Sequence, residues 1–242
     1  MLDRDKNKYL TDNELMAYRL MLSLSDQIKT SLVTISKSSE HTDIMDSKNN
    51  SVIKNTADYM IDLINAYSFG LLLSIDNSNL EVETVSISAI LYNTAKKLEK
   101  IAKDYNVKIS LDISSKNNLI ISNPVGLEMS LISLGISLIE SLPSNDDTQL
   151  ELSLASHNCR YGLVAGIYAD NGFISNEALK KGKKLYGLVR QPLTSFSHNS
   201  SAGIFIADNI LSNLNLRLKT SQHRNLSGLS VVLNPAAQLQ FI

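Results

Sequence analysis

Ile53, Ala57, Met60, Ile64, Tyr67 and Leu71 follow one another at steps of 4, 3, 4, 3 and 4 residues, the a/d seam of a helix built to pack on other helices. Upstream, Met21, Leu24, Ile28, Leu32 and Ile35 form a second stripe at three- to four-residue steps. It lies behind Thr11-Asp12-Asn13-Glu14, which has the form of a capping box. A polar stretch, Ser36 to Ser51, separates the two stripes. Two amphipathic helices joined in this way predict an antiparallel hairpin. Each stripe is wider than one partner helix covers, so a second hairpin is the natural solution. The expectation is a four-helix bundle made by two copies of the chain; the alternative is one hairpin packed against the remaining domain.

The remainder reads differently. The polar, turn-forming run Ile75 to Glu83 marks a boundary, which predicts a hairpin over residues 1–74, a linker over 75–83 and a second domain over 84–242. Ile87 to Tyr105 is an amphipathic helix, and Val107 to Ile113 alternates apolar and polar as a half-buried strand does. Leu119 to Ile121 is a short strand. Pro124 stands where a first helical turn accepts proline, and the helix from there to Leu142 is apolar on most of its circumference, so it should be buried. Gln149 to Ser156 and Tyr161 to Ala169 read as strands joined by a turn near His157-Asn158, and Asp170 to Arg190 reads as irregular. A helix over Ala202 to Leu214 and strands over Leu216 to Thr220 and Gly228 to Leu233 complete the pattern. Helices on one face of a mixed, largely antiparallel sheet make an α/β sandwich, so the whole chain is of the α+β class.

Charge excludes several functions. Lys and Arg number 23 against 24 Asp and Glu, for a net charge of -1, and no basic run offsets that balance; nucleic acid is not an expected partner. Cys159 is the only cysteine, which excludes an internal disulfide and a cysteine-based zinc site. No segment reaches the roughly 18 consecutive apolar residues of a membrane span, and the polar start MLDRDKNKYL is no signal peptide. A cytoplasmic protein with no direct membrane insertion is expected.

Ser25-Asp26-Gln27-Ile28-Lys29-Thr30-Ser31-Leu32 resembles the phosphoacceptor box S-H-E-L-R-T-P-L of sensor histidine kinases. Asp26 stands at the histidine position, Gln27 at the acid and Ser31 at the proline, while Lys29 keeps the positive charge and Thr30 and Leu32 are unchanged. Pro124 to Glu140 resembles the helix carrying the N box, N-L-L-D-N-A, with Ser133 and Ser137 at its two asparagine positions. Asp170-Asn171-Gly172 is similar to the opening of the D-x-G-x-G box, with Ile174 in place of its second glycine. Ser201-Ala202-Gly203-Ile204 is similar to the G-x-G-L box with its first glycine lost, and Gly228 fits the final glycine before the last strand. The resemblance spans roughly Asn13 to Pro235 and implies a dimerisation and phosphotransfer hairpin followed by a sandwich of the histidine-kinase ATPase (GHKL, or Bergerat) type.

The substitutions bear on the chemistry that the family performs. A carboxylate at Asp26 forms no phosphoramidate, and Gln27 supplies no base, so histidine autophosphorylation is not expected. His41 lies in the interhelical connection, and His157, His198 and His223 are expected in solvated turns of the sandwich. Serine at 137 is a short ligand for the magnesium that the family's asparagine holds, and Ile174 and Ser201 restrict backbone that glycine would free. Asp170 keeps the carboxylate that would accept the adenine amino group, although Asp-Asn-Gly after a strand is also an ordinary turn. The lysines from Lys180 to Lys184 read as a solvated helix end in preference to a phosphate clamp. No cofactor is expected, and any ATP or ADP binding should be weak.

The reading is a histidine-kinase-like pseudokinase that works by binding, as a homodimer, to a response-regulator receiver domain or a sensor kinase. The alternatives are an atypical phosphotransfer protein using His41, a weak ATPase using Asp170, and an adaptor outside two-component signalling.

Overall fold

The computed structural model describes residues 47–75, 80–113, 119–142, 149–170, 176–184 and 200–236, together with helical positions 21, 25, 28–29, 32–33 and 35–37. Its elements are α1 (Ser47–Ile75), β1 (Glu83–Ser86), α2 (Ile87–Asp104), β2 (Val107–Ile113), β3 (Leu119–Ser122), α3 (Pro124–Ser141), β4 (Leu150–Cys159), β5 (Gly162–Ala169), α4 (Asn176–Lys184), α5 (Ser200–Asn213), β6 (Lys219–His223) and β7 (Leu226–Leu233). A five-stranded sheet runs in the order β2-β4-β5-β7-β6, parallel between β2 and β4 and antiparallel elsewhere. β1 and β3 form a separate antiparallel pair, which Pro235 joins through a bridge to Ile120.

Alternation of side chains explains the layering. Leu152 and Leu154 of β4, Leu163 and Ile167 of β5, and Leu229 and Val231 of β7 all point to one face, where α2, α3 and α5 cover them in a single core. α3 is long and apolar enough to cross a membrane, but here it lies in that core with Leu127, Leu134, Leu138 and Ile139 buried. Its start is set locally: Asn123 Oδ1 accepts from the Gly126 N–H at 2.7 Å, and Pro124 occupies the first turn. A smaller cluster, Ala66 and Leu73 of α1 with Ile206 and Ile210 of α5, ties the long helix to the sandwich. The seam on α1 is divided, with Ala57 and Leu71 buried and Ile53 and Met60 exposed.

Several boundaries differ from the sequence reading. The polar stretch 36–51 is partly helical, since positions 35–37 belong to a helix and α1 already begins at Ser47; short polar residues suit a first turn. β4 continues through His157 and Asn158, and the chain reverses at Arg160-Tyr161 before Gly162, whose φ of 141° suits glycine. Residues 176–184, inside the stretch read as irregular, form α4. β6 begins at Lys219 because the preceding helix is closed first, by Asn215 at φ 59° and by the Leu216 N–H donating to the Leu211 carbonyl at 2.8 Å. β1 escaped the reading because four residues are too few for alternation to show.

Candidate functional site

Ser133 and Ser137 lie one turn apart on α3, on the side that meets α5. Both are buried, at 1% and 2% exposure. Ser133 Oγ donates back to the Met129 carbonyl at 2.9 Å, while Ser137 Oγ has no hydrogen-bond partner among the described residues. Gly203 of α5 sits directly on them: a Cβ added there would lie 2.3 Å from both the Ser133 carbonyl oxygen and Ser137 Oγ. Glycine at 203 is therefore demanded by a helix crossing.

The other carried-over positions are also explained by packing. Asp170 is half-buried in the turn after β5, where its N–H donates to the Glu151 carbonyl at 3.0 Å and extends the β4–β5 ladder. Gly228 pairs with Tyr168 across β5 and β7, and a Cβ there would fall 2.0 Å from the Ile167 carbonyl oxygen. Ser201 is in the first turn of α5. The structure thus gathers Ser133, Ser137 and Gly203 at one helix contact and Asp170 with Gly228 at one end of β5 and β7. Lys29 is a half-buried helical position; Asp26, Gln27, Thr30, Gly172, Ile174, His41 and His198 lie outside the described residues.

The segment between Asp170 and α5 contains α4, which is anchored. Lys183 Nζ pairs with Asp208 Oδ1 of α5 at 2.8 Å and donates to the Leu218 carbonyl at 2.8 Å, so this lysine is held against the fold, whereas Lys180 is exposed as a solvated helix end predicts. Leu179 is buried beneath it, and Thr220 Oγ1 donates to Asn176 Oδ1 at 2.6 Å.

At the level of sequence, no protein-family model and no curated protein matches the chain. Solved structures do. The histidine kinase AdeS of Acinetobacter baumannii superposes with a TM-score of 0.52 at 15% identity, over 85% of this chain and 96% of that one. The catalytic domain of the histidine kinase ThkA gives 0.52 at 11% identity, over 64% of this chain and 97% of its own. The chain carries the histidine-kinase fold. Full-length ShkA, in complex with AMPPNP, matches at 0.59 and 13% identity, over 91% of this chain and 47% of that one.

Within that histidine-kinase fold, two polar groupings escaped the sequence reading. His157 and His223, expected in solvated turns, lie instead within β4 and β6 with rings stacked 5.2 Å apart, on the sheet face turned away from the helices. Tyr168 packs on the same imidazole, its hydroxyl bonded to Ser221, which donates onward to Ser230 at 2.7 Å. The second grouping is charged and lines a cleft between α1, α2 and α3. Its only sequence signal was a pair of like charges one turn apart on each of two helices: Asp58 with Asp62, and Lys96 with Lys100.

Proposed function

We propose that this chain is a cytoplasmic, homodimeric pseudokinase of two-component signalling that acts by binding a response-regulator receiver domain without transferring phosphate. The observation that carries the reading is the seal of Gly203 over Ser133 and Ser137. Magnesium demands oxygen ligands at about 2.0–2.1 Å in a near-octahedral shell with several waters, and a buried serine hydroxyl pressed by a neighbouring helix backbone offers no such space. These residues do not fit a magnesium-bound nucleotide. The docked α4, held by Lys183 to Asp208, supports the same reading, because it lies in the stretch between Asp170 and α5 and is already committed to packing.

The docking segment in this reading is the stretch of sequence around Asp26, where the resemblance puts a carboxylate in place of the phosphoacceptor, which cannot carry a phosphoryl group. Dimerisation is supported by the exposed apolar positions Met21, Ile28 and Ile35 at seven-residue spacing, and by Ile53 and Met60 on α1. The test is a pair of measurements on one preparation: pull-down of receiver domains encoded beside this gene, and incubation with radiolabelled magnesium-ATP. Receiver capture without protein labelling is the expected result. An acid-labile, base-stable phosphate on the chain would overturn the reading.

A further inference from the structure

The cleft between α1, α2 and α3 has a volume of about 590 Å³, in the range of small-molecule sites. Its floor is apolar, from Ile101 of α2 with Ile132 and Ile136 of α3. Its charges are sorted by wall. Asp58 and Asp62 stand one turn apart on α1, and Lys96 and Lys100 stand one turn apart on α2. Lys97 is already paired with Glu128 at 2.8 Å, and Asp58 accepts from Ser36 Oγ at 2.9 Å. Among the described residues, Asp62, Lys96 and Lys100 form no direct ion pair, so an acidic wall on α1 and a basic wall on α2 both line the cleft with contacts open to a ligand. Partial desolvation beside the neighbouring helices raises the Asp62 carboxyl above its ordinary 3.8, with Lys97 and Lys100 pulling it down and Asp58 and Glu128 pushing it up, although the side chain still reaches solvent.

We propose that this cleft binds a small zwitterion with an apolar body, an apolar amino acid or short peptide, with its ammonium on the α1 wall, its carboxylate on the α2 wall and its side chain on the isoleucine floor. A simple anion would leave the Asp58 and Asp62 wall unmet, and a simple cation would leave the Lys96 and Lys100 wall unmet. A dipolar ligand meets both, and the lining charges of Lys96, Lys97 and Lys100 against Asp58, Asp62 and Glu128 sum to zero, which favours no net charge. The bound molecule would bridge the long helix and the sandwich, so the site makes that joint responsive to a metabolite, independently of any receiver docking.

The test is titration calorimetry of the full chain with L-leucine and L-phenylalanine, alongside N-acetyl-leucine, which lacks the ammonium, and leucinamide, which lacks the carboxylate. Saturable binding of at least one free amino acid is expected, with both blocked analogues about tenfold weaker or worse, since each loses a charge-assisted contact. Asp62→Asn should weaken the free amino acid while leaving the residual binding of N-acetyl-leucine unchanged, and Lys96→Ala with Lys100→Ala should do the converse for leucinamide. These three side chains are exposed, so the variants keep the wild-type melting temperature, which is checked in parallel. Absence of saturable binding by either amino acid at millimolar concentration would overturn the proposal, as would blocked and free forms binding equally.

Discussion

His223 Nε2 lies 2.7 Å from Asp112 Oδ2, although the two residues stand on β6 and β2, the opposite edges of the five-stranded sheet. The contact is possible only because the sheet curls strongly on the side away from the helices, bringing its edges together over Tyr168, which is fully buried. Arg224 Nη2 reaches the same carboxylate oxygen at 2.6 Å, but it is 73% exposed and contributes little to stability. Replacing Asp112 with asparagine removes the carboxylate that joins the edges, and a loss of about 1–2 kcal/mol is expected. Urea unfolding measures it, and an unchanged midpoint would count against the edge-to-edge bond.

The neighbouring His157 gives this face a pH dependence. Burial, and then the adjacent His223, hold its pKa below the ordinary 6.5, against the opposing pull of Asp112. A lowered folded value means that the unfolded chain takes up the proton first as pH falls. The contribution to stability is therefore full above pH 6.5 and is lost as pH drops below it toward the folded pKa. His157→Gln should flatten melting temperature against pH in that window and leave it unchanged near pH 8.

Gly203→Ala should destabilise the fold by about 2–3 kcal/mol, because the new methyl group meets backbone and a buried hydroxyl with no flexible neighbour to yield. Gly182→Ala on α4 is the control. There the nearest atom is Ile204 Cγ2 at 3.2 Å, the end of a side chain, and removing a helical glycine offsets the crowding. Near-neutral behaviour at 182 beside a large loss at 203 is the expected pattern in chemical denaturation.

Ser137→Asn introduces the residue type that the N box of sensor histidine kinases carries at the position Ser137 resembles, and it separates packing from chemistry. Asparagine is larger than the space under Gly203 allows, so the variant should lose stability and still show no melting shift with millimolar magnesium-ATP. A nucleotide-dependent shift of several degrees in this variant would mean that α5 yields and the site is merely latent.

Tyr59 of α1 donates to Glu140 of α3; burial, followed by the Glu140 charge, pushes the Tyr59 pKa up to about 12. Burial raises Glu140 too, with the Tyr59 hydrogen bond pulling the other way. Tyr59→Phe should cost about 1 kcal/mol and should speed amide exchange selectively in α1, since it deletes a polar link between that helix and the sandwich.

Ile53→Glu with Met60→Glu places charge on the exposed half of the α1 seam. The folded sandwich should be unaffected, while light scattering should move from about twice the chain mass of 26.7 kDa to a monomer. A wild-type monomer at micromolar concentration would remove the basis for the dimer.

What the residues determined by themselves was local and periodic. The 4-3 stepping of α1, the all-round apolar character of α3 and the Asn123-Pro124 start are written in neighbours three or four positions apart, and such signals survive whatever the rest of the chain does. The strand pattern of β5 was legible for the same reason. Tertiary structure decided the rest, because those features depend on residues far apart. α4 is a helix where its glycine and lysines read as loop, since Lys183 finds Asp208 and Leu179 finds the core. His157 and Asn158 look like turn residues, but pairing with Val164 and Leu163 keeps them in a strand. The meaning of Ser137 was hidden as well. Its identity offered only a resemblance to a box position where asparagine is usual; that Ser137 is covered by Gly203, 66 residues later, follows from how two helices cross, and no local pattern encodes a crossing.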